Sequence, residues 1–427
     1  MTPRVTDQKK LTLIFVFCCG ILLFVFVTAS IAQTDSVTLQ QAISLAWQNN
    51  QVVSISEIEK QQNEIHLKEV QALRYPPFFI RSHYLYAPDN GYSDVVTNGG
   101  EYGFQLTTGI PLYDAGIRST LTHQVSNAIE RSSIVVQKSK IDLSFEVRSA
   151  YYEIVRARNE LQIRRETKQR LDDYSAFLEQ LHQGGSVNTN DVLKSRVELN
   201  NAIIEVDNAT NTLAKDKMAL NKLIGKPIKL DIEIAFASVG DTTSLPQFSV
   251  ENTPDVLLLK REKISAEDDI TLAKAERLPT VSVSGDVGWL GVTPSEYRQN
   301  FGYSIFLNLD FPIWSWGGID TRIQQKELSN QIIDKQIELQ RRDLELQWNT
   351  TITDIQYARN ALGGYARNIV EAEKNYLLAK SRFAGGSGSN LEVLDAQRLL
   401  VEIKLDYNKT LMELNSSFTT ALKLSGQ

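Results

Sequence analysis

Glu392 and Asp395 are the pair of side chains in this sequence best placed to act on something passing by. They stand three residues apart at the start of a run with helical periodicity, so both carboxylates share one helix face. Acids in a first helical turn are favoured by the macrodipole, by roughly 0.3–1 kcal/mol each. Repeated around a symmetry axis, the same pair would form rings of like charge, a device that admits cations and repels anions in pores. Catalytic chemistry is harder to assemble. His66, His83, His123 and His182 are scattered, with no i, i+4 pair to hold a metal. Gly385-Gly386-Ser387-Gly388 lacks the Gly-Lys-Ser/Thr ending of a phosphate loop and follows a helical run, not a strand. The pattern predicts no enzyme, no metal and no cofactor.

The acidic pair sits inside a repeat. Gly184–Gly225 aligns with Gly385–Gly426 without a gap at a constant offset of 201, with Gly184/Gly385, Gly185/Gly386, Ser186/Ser387, Val192/Val393, Leu199/Leu400 and Leu223/Leu424 among the identities. The offset also pairs Tyr102 with Tyr303 and Pro111 with Pro312. A period this long is no solenoid unit. It predicts two pseudo-equivalent halves, 33–240 and 241–427, behind a leader at 1–32. Asp191 is then the counterpart of Glu392, while Lys194 replaces Asp395, so the halves differ at this point.

The leader has Arg4, Lys9 and Lys10 before an apolar run from Leu11 to Val27, then Ser30-Ile31-Ala32, the layout of a secretory signal peptide cleaved before Gln33. Cys18 and Cys19 lie within that run, which suits a lipid-attachment site badly and leaves the remainder without cysteine. The alternative is a retained anchor, its 17 apolar residues being at the lower limit for spanning. At 42% hydrophobic and 22% charged the chain is an ordinary folded one, and a net charge of −6 with no basic run excludes a nucleic-acid partner.

Helical periodicity predicts a helix from Thr38 to Leu73, ending before Pro76 and Pro77, and a counterpart from Pro254 to Arg277. The period then changes to 2 over Phe78–Tyr86, Tyr102–Ile110, Thr280–Trp289 and Phe301–Phe311, predicting one strand hairpin per half. Past Pro111 and Pro312 the helical period persists from Gly116 to Gln183 and from Gly318 to Ala384, with Gly363-Gly364 a weak point where the second could bend. After a Gly-rich turn, helices follow over Asp191–Leu223 and Glu392–Leu424. The two shorter helices of each half together match one long one, so they can stack end to end beside it as a coiled coil.

Strands of about ten residues with one apolar and one polar face suit an outer-membrane barrel. Tyr113, Trp289, Trp314 and Trp316 at the strand ends suit its aromatic girdle. Four strands cannot close, and an open edge in lipid leaves backbone groups unpaired, so other copies must complete the cylinder. Two chains would give eight strands around packed side chains; three would give twelve around a pore, which the polar inner faces favour. A soluble α+β sheet and a membrane-anchored coiled-coil spacer or adaptor without transport activity are the alternatives.

The order of elements, the duplication and the run Gly385–Gln397, GGSGSNLEVLDAQ, resemble the TolC-like outer-membrane efflux and secretion channels over essentially all of the chain after the leader. The resemblance implies a homotrimer in outer-membrane lipid, a twelve-stranded barrel over a twelve-helix periplasmic tunnel, and docking to a periplasmic adaptor and an inner-membrane pump. It implies a passive exit duct for efflux or type I secretion. It also implies that Glu392 and Asp395 narrow the periplasmic entrance, and that the turns Gly184-Gly185-Ser186 and Gly385-Gly386-Ser387 form the mouth where the adaptor docks. Phe383 stands where some members have tyrosine, and Gly388 where they have a latching arginine. The second departure predicts a mouth held by fewer bonds between helices.

Overall fold

The computed structural model describes residues 36–86, 100–235, 244–291 and 300–427. The leader, the strand connections at 87–99 and 292–299, and the expected boundary at 240/241 lie outside the described residues. Seven helices and four strands alternate along the described chain: α1 Leu39–Asn49, α2 Gln51–Ala72, β1 Phe78–Tyr86, β2 Gly100–Tyr113, α3 Ile117–Gln183, α4 Thr189–Leu223, α5 Pro254–Ala275, β3 Thr280–Gly291, β4 Phe301–Asp310, α6 Gly318–Ala384 and α7 Asn390–Leu424. The helices α3 and α6 are each 67 residues long, and α4 and α7 each 35. Gly363-Gly364 stay within α6 without interruption.

The expected single helix from Thr38 to Leu73 is in fact two. Asn50 is extended, and its Oδ1 accepts a hydrogen bond from the Val52 N–H at 2.9 Å, capping α2. Its Nδ2 donates to the Leu223 carbonyl at 3.1 Å, and Asn49 Nδ2 to that of Ile224 at 3.3 Å. The break therefore supplies donors to carbonyls at the end of α4 that no helical turn can satisfy. It also seats α2 on the end of α4, so the two stack beside α3. In the second half α7 meets the start of α5 at an apolar contact of Val256, Leu344 and Leu424.

Around the joint in the first half lies a core of Ile43, Ala46, Val147, Ile154, Leu220 and Ile224. Tyr151 is buried there, and its hydroxyl donates toward the carbonyls of Val37 and Ala235 at 3.1 and 2.7 Å. Val37 forms a parallel bridge with Ile234.

The strands form one antiparallel sheet in the order β1-β2-β3-β4. Each half contributes its hairpin, and β2 pairing with β3 joins the halves. Register places most apolar residues of the four strands on one face, with Ile80 beside Leu106, Leu106 beside Val287 and Val287 beside Tyr303, while Phe79, Leu85 and Phe306 lie on the other. A bulge between Pro111 and Tyr113 makes Leu112 the extra residue, and so aligns Tyr113 with Val281 on the apolar face. On the opposite face Asp286 accepts hydrogen bonds from Gln105 Nε2 at 3.0 Å and from the Ser304 hydroxyl.

The helices repeat the order of the strands. The stack α2/α4 packs on α3, α3 on α5/α7, and α5/α7 on α6. Both layers thus have two open sides within one chain, β1 with α2/α4 on one and β4 with α6 on the other.

The join between halves is closely packed at Gly288, where a Cβ would collide with the Phe104 carbonyl oxygen, whereas one at Gly302 meets open space. Gly288→Ala is expected to cost at least about 1–3 kcal/mol through overpacking and to lower the melting temperature of the β signal in circular dichroism. Gly302→Ala should melt like the parent, and equal melting of both variants would contradict this packing.

Candidate functional site

The ends of the helices farthest from the sheet carry the residues singled out from the sequence. At the tip of the first half α3 ends at Gly184; Gly185 takes the left-handed conformation at φ 74°, and the N–H groups of Gly185 and Ser186 return to the carbonyls of His182 and Leu181. The second tip is built the same way, with Gly386 at φ 76° and N–H bonds from Gly386 and Ser387 to Phe383 and Arg382. Two carbonyls at each helix end are satisfied by this motif, which needs a residue tolerant of positive φ. Asn188 then caps α4 through the Asp191 N–H, and Ser389 caps α7 through the Glu392 N–H.

Gly388 departs from this symmetry. A Cβ there would sit 3.0 Å from the Phe383 nitrogen and 3.2 Å from Arg382 atoms, so a side chain would need the end of α6 to give by a few tenths of an ångström. Phe383 packs edge-on against Tyr174 with ring centroids 6.0 Å apart, in a core with Leu178, Val192, Val393 and Leu394.

Instead of a latch at Gly388, a buried polar link ties the two tips. Asn390, 3% exposed, accepts a hydrogen bond from the Tyr174 hydroxyl at 2.9 Å. Its Nδ2 faces both the Asp191 carbonyl oxygen and Asp191 Oδ1 at 3.2 Å. One carboxamide thereby joins α3, α4 and α7. Burial, with the nearby Asp191 charge and Tyr376, pushes the Tyr174 hydroxyl well above the usual phenol range, so it stays protonated and remains a donor.

Neither Tyr174 nor Asn390 was signalled by spacing. Their 216-residue separation shows no periodicity, and Asn390 stands opposite Thr189 in a stretch, 187–191 against 388–392, where the repeat keeps no identity. Within one chain this link joins the two tips with residues other than the one at 388.

Glu392 and Asp395 are both exposed, on the first turns of α7, beside a groove shared with Arg382 of α6. Glu392 makes no ion pair among the described residues. Asp395 pairs with Arg398 at 3.2 Å, and Arg398 crosses to Glu198 of α4 at 2.9 Å. These exposed pairs contribute little each.

The expected girdle residues fall at two levels. Trp289 lies between Phe104 and Phe301 at the end of the sheet farther from the helices, with centroids 6.2 and 4.9 Å away. Tyr113 marks the near end, with Trp314 and Trp316 after β4, edge-on to each other at 5.7 Å and largely exposed. The eight residue steps from Val281, level with Tyr113, to Trp289 span roughly 26 Å along the strand, the scale of an outer-membrane apolar band. Among the described residues no helix is long and apolar enough to cross a membrane.

The histidines are each engaged locally: His66 with Glu69, His83 with Glu101, His123 with Asp268, and His182 with the Val187 carbonyl.

Comparison with known proteins agrees with this geometry. The pattern of the family described as outer membrane efflux protein matches residues 42–226 and 245–423. The outer membrane protein TolC of Vibrio cholerae serotype O1 is 22% identical over 304 residues, covering 65% of this chain and 68% of its own. The probable outer membrane lipoprotein SilC of Salmonella typhimurium is 21% identical over 410 residues, covering 88% and 84%. Among solved structures, the channel protein CusC superposes with a TM-score of 0.81 over 91% of this chain and 92% of its own, at 18% identity. With the family pattern matched once in each half and in order, the chain belongs to the outer membrane efflux protein family.

Proposed function

We propose that three copies of this chain form a passive exit duct, fed by an inner-membrane pump through a periplasmic adaptor that docks at the turns Gly184–Ser186 and Gly385–Ser387. The chain is an outer-membrane efflux channel; the copy number, the partners and the gate are our reading. The observation that carries it is the pair of matching open sides. The free edge of β4 leads into α6, and that of β1 into α2/α4, so one rotation can close the strand layer and the helix layer together. On α6, Ile332, Leu339 and Leu346 are exposed at heptad spacing. On the opposite side Ile58 and Ile65 of α2, and Val197 and Ile204 of α4, are exposed with the same seven-residue step.

Twelve strands leave a wider lumen than eight, and the polar face carrying Asp286, Gln105 and Ser304 suits water. The halves at 33–240 and 241–427 would supply alternate sectors of the wall. Glu392 and Asp395 would narrow the entrance, and the Tyr174–Asn390–Asp191 link would hold it shut, with opening a change between two packings of the same helices.

Three outcomes are expected. Leu339→Asp with Leu346→Asp should leave a monomer by light scattering in detergent, where the parent has three times the mass, because each buried leucine contributes about 1.5–3 kcal/mol; a trimeric double variant, or a parent of another size, would refute this interface. Tyr174→Phe and Asn390→Ala each remove a buried bond worth about 1–3 kcal/mol, three times per trimer. Single-channel conductance in planar bilayers should rise at least tenfold, and parental conductance in both would end the gate assignment. Glu392→Ala with Asp395→Ala should abolish block by multivalent cations, and unchanged block would remove the acidic ring.

A further inference from the structure

A second feature, some way up the helices from the turns, plays no part in the duct reading. Between α4 and α7, floored by α3, lies a cleft of about 410 Å³, within the range of small-molecule sites. Its walls are apolar where Leu171, Leu394, Val401 and Leu405 line it. Gln397 also lines it, 3% exposed, and neither its amide nitrogen nor its oxygen has a partner. Native interiors rarely leave both ends of a carboxamide unsatisfied.

The charges around the cleft are unevenly spent. Arg398 is taken by Glu198 and Asp395, and Arg164 by Glu160 and Glu205. Glu402 and Asp406, one turn apart on α7, line the same cleft and make no ion pair among the described residues. The cleft is thus apolar within, offers a donor and an acceptor at one buried point, and holds uncompensated negative charge.

We propose that this cleft binds a small amphipathic organic cation, its apolar body against Leu394, Val401 and Leu405, a hydrogen-bonding group on Gln397, and its positive charge toward Glu402 and Asp406. Assembly leaves the site open. On α4 the residues facing the cleft, Glu198, Asn201 and Glu205, lie about a quarter-turn from the exposed stripe of Leu193, Val197 and Ile204 that the next copy would cover. The site is complete within one chain and does not rest on the trimer or the gate.

Ethidium is a suitable probe, being a planar cation with amine donors, and dihydroethidium is its uncharged counterpart. Titrated into the full-length protein in a nonionic detergent, with empty micelles subtracted, ethidium should bind saturably at one site per chain. Dihydroethidium should bind at least tenfold more weakly. Gln397→Leu and Glu402→Gln should each weaken ethidium at least tenfold, while Glu392→Gln, at an acid that neither lines the cleft nor pairs with a residue that does, should leave it unchanged. Gln397→Leu should also melt no lower than the parent, because it replaces an unpaired amide by an apolar group. Absence of saturable binding, parental affinity in Gln397→Leu or Glu402→Gln, equal binding of the neutral probe, or loss of binding in Glu392→Gln would each overturn the assignment.

Discussion

The unpaired edge governs this molecule. In an apolar medium a free N–H or C=O costs several kcal/mol, and a sheet with β1 and β4 as its outer strands carries two rows of them. No rearrangement within the chain removes these edges, because four strands cannot curl into a cylinder. The helical layer inherits the same problem in milder form. There the open sides expose apolar side chains of α6 and α2/α4 rather than backbone, so what the strands demand by hydrogen bonding the helices favour by burial.

The two halves are built to one plan. Positive-φ glycines recur at the offset of 201, Gly116 with Gly317, Gly185 with Gly386, and Gly225 with Gly426. Even the residues before the first pair, Ala115 and Trp316, share an unfavourable left-handed backbone. The plan is broken where the tips meet. Thr189 has become Asn390, which reaches Tyr174 and Asp191, and Lys194 has become Asp395. A wall made of identical sectors needs no such differences, whereas a tie between neighbouring hairpins needs a donor on one and an acceptor on the other.

Most of the fold was legible because periodicity is a local signal. The change from 3.6 to 2 and back marked the strands within a few residues, and Pro111, Pro312 and the paired glycines marked the ends of the long helices. What was not legible depended on partners distant in sequence. Asn50 ended a helix because the carbonyls of Leu223 and Ile224 lay beside it, and nothing in residues 38–73 records that. The bulge at Leu112 appears only when β2 is laid against β3. At the tips the turns were located by residue type and repeat, while the buried Tyr174–Asn390 bond was not, since a lone tyrosine in a helical stripe reads as core.

The distribution of cohesion along the helices bears on how such a tip could move. At the joint of α2 and α4, Tyr151, Ile154, Leu220 and Ile224 are fully buried, and Tyr151 is hydrogen-bonded to chain on both sides. Toward the turns an apolar core of Leu178, Val192, Val393 and Leu400 also joins the helices, and the polar ties are the Asn390 carboxamide, a buried Ser195–Ser175 hydrogen bond at 3.3 Å and a few exposed ion pairs. Between these levels α6 carries Gly363-Gly364, where α3 has Gln162-Ile163 at the matching offset. Each glycine costs a helix about 1 kcal/mol relative to alanine, so α6 is the softer of the two long helices just above the tip. A displacement that begins with Asn390 leaving Tyr174 would therefore be taken up by the α6/α7 hairpin bending at that point. The α3/α4 hairpin, stiffer and fixed at its base by the buried joint, would stay in place.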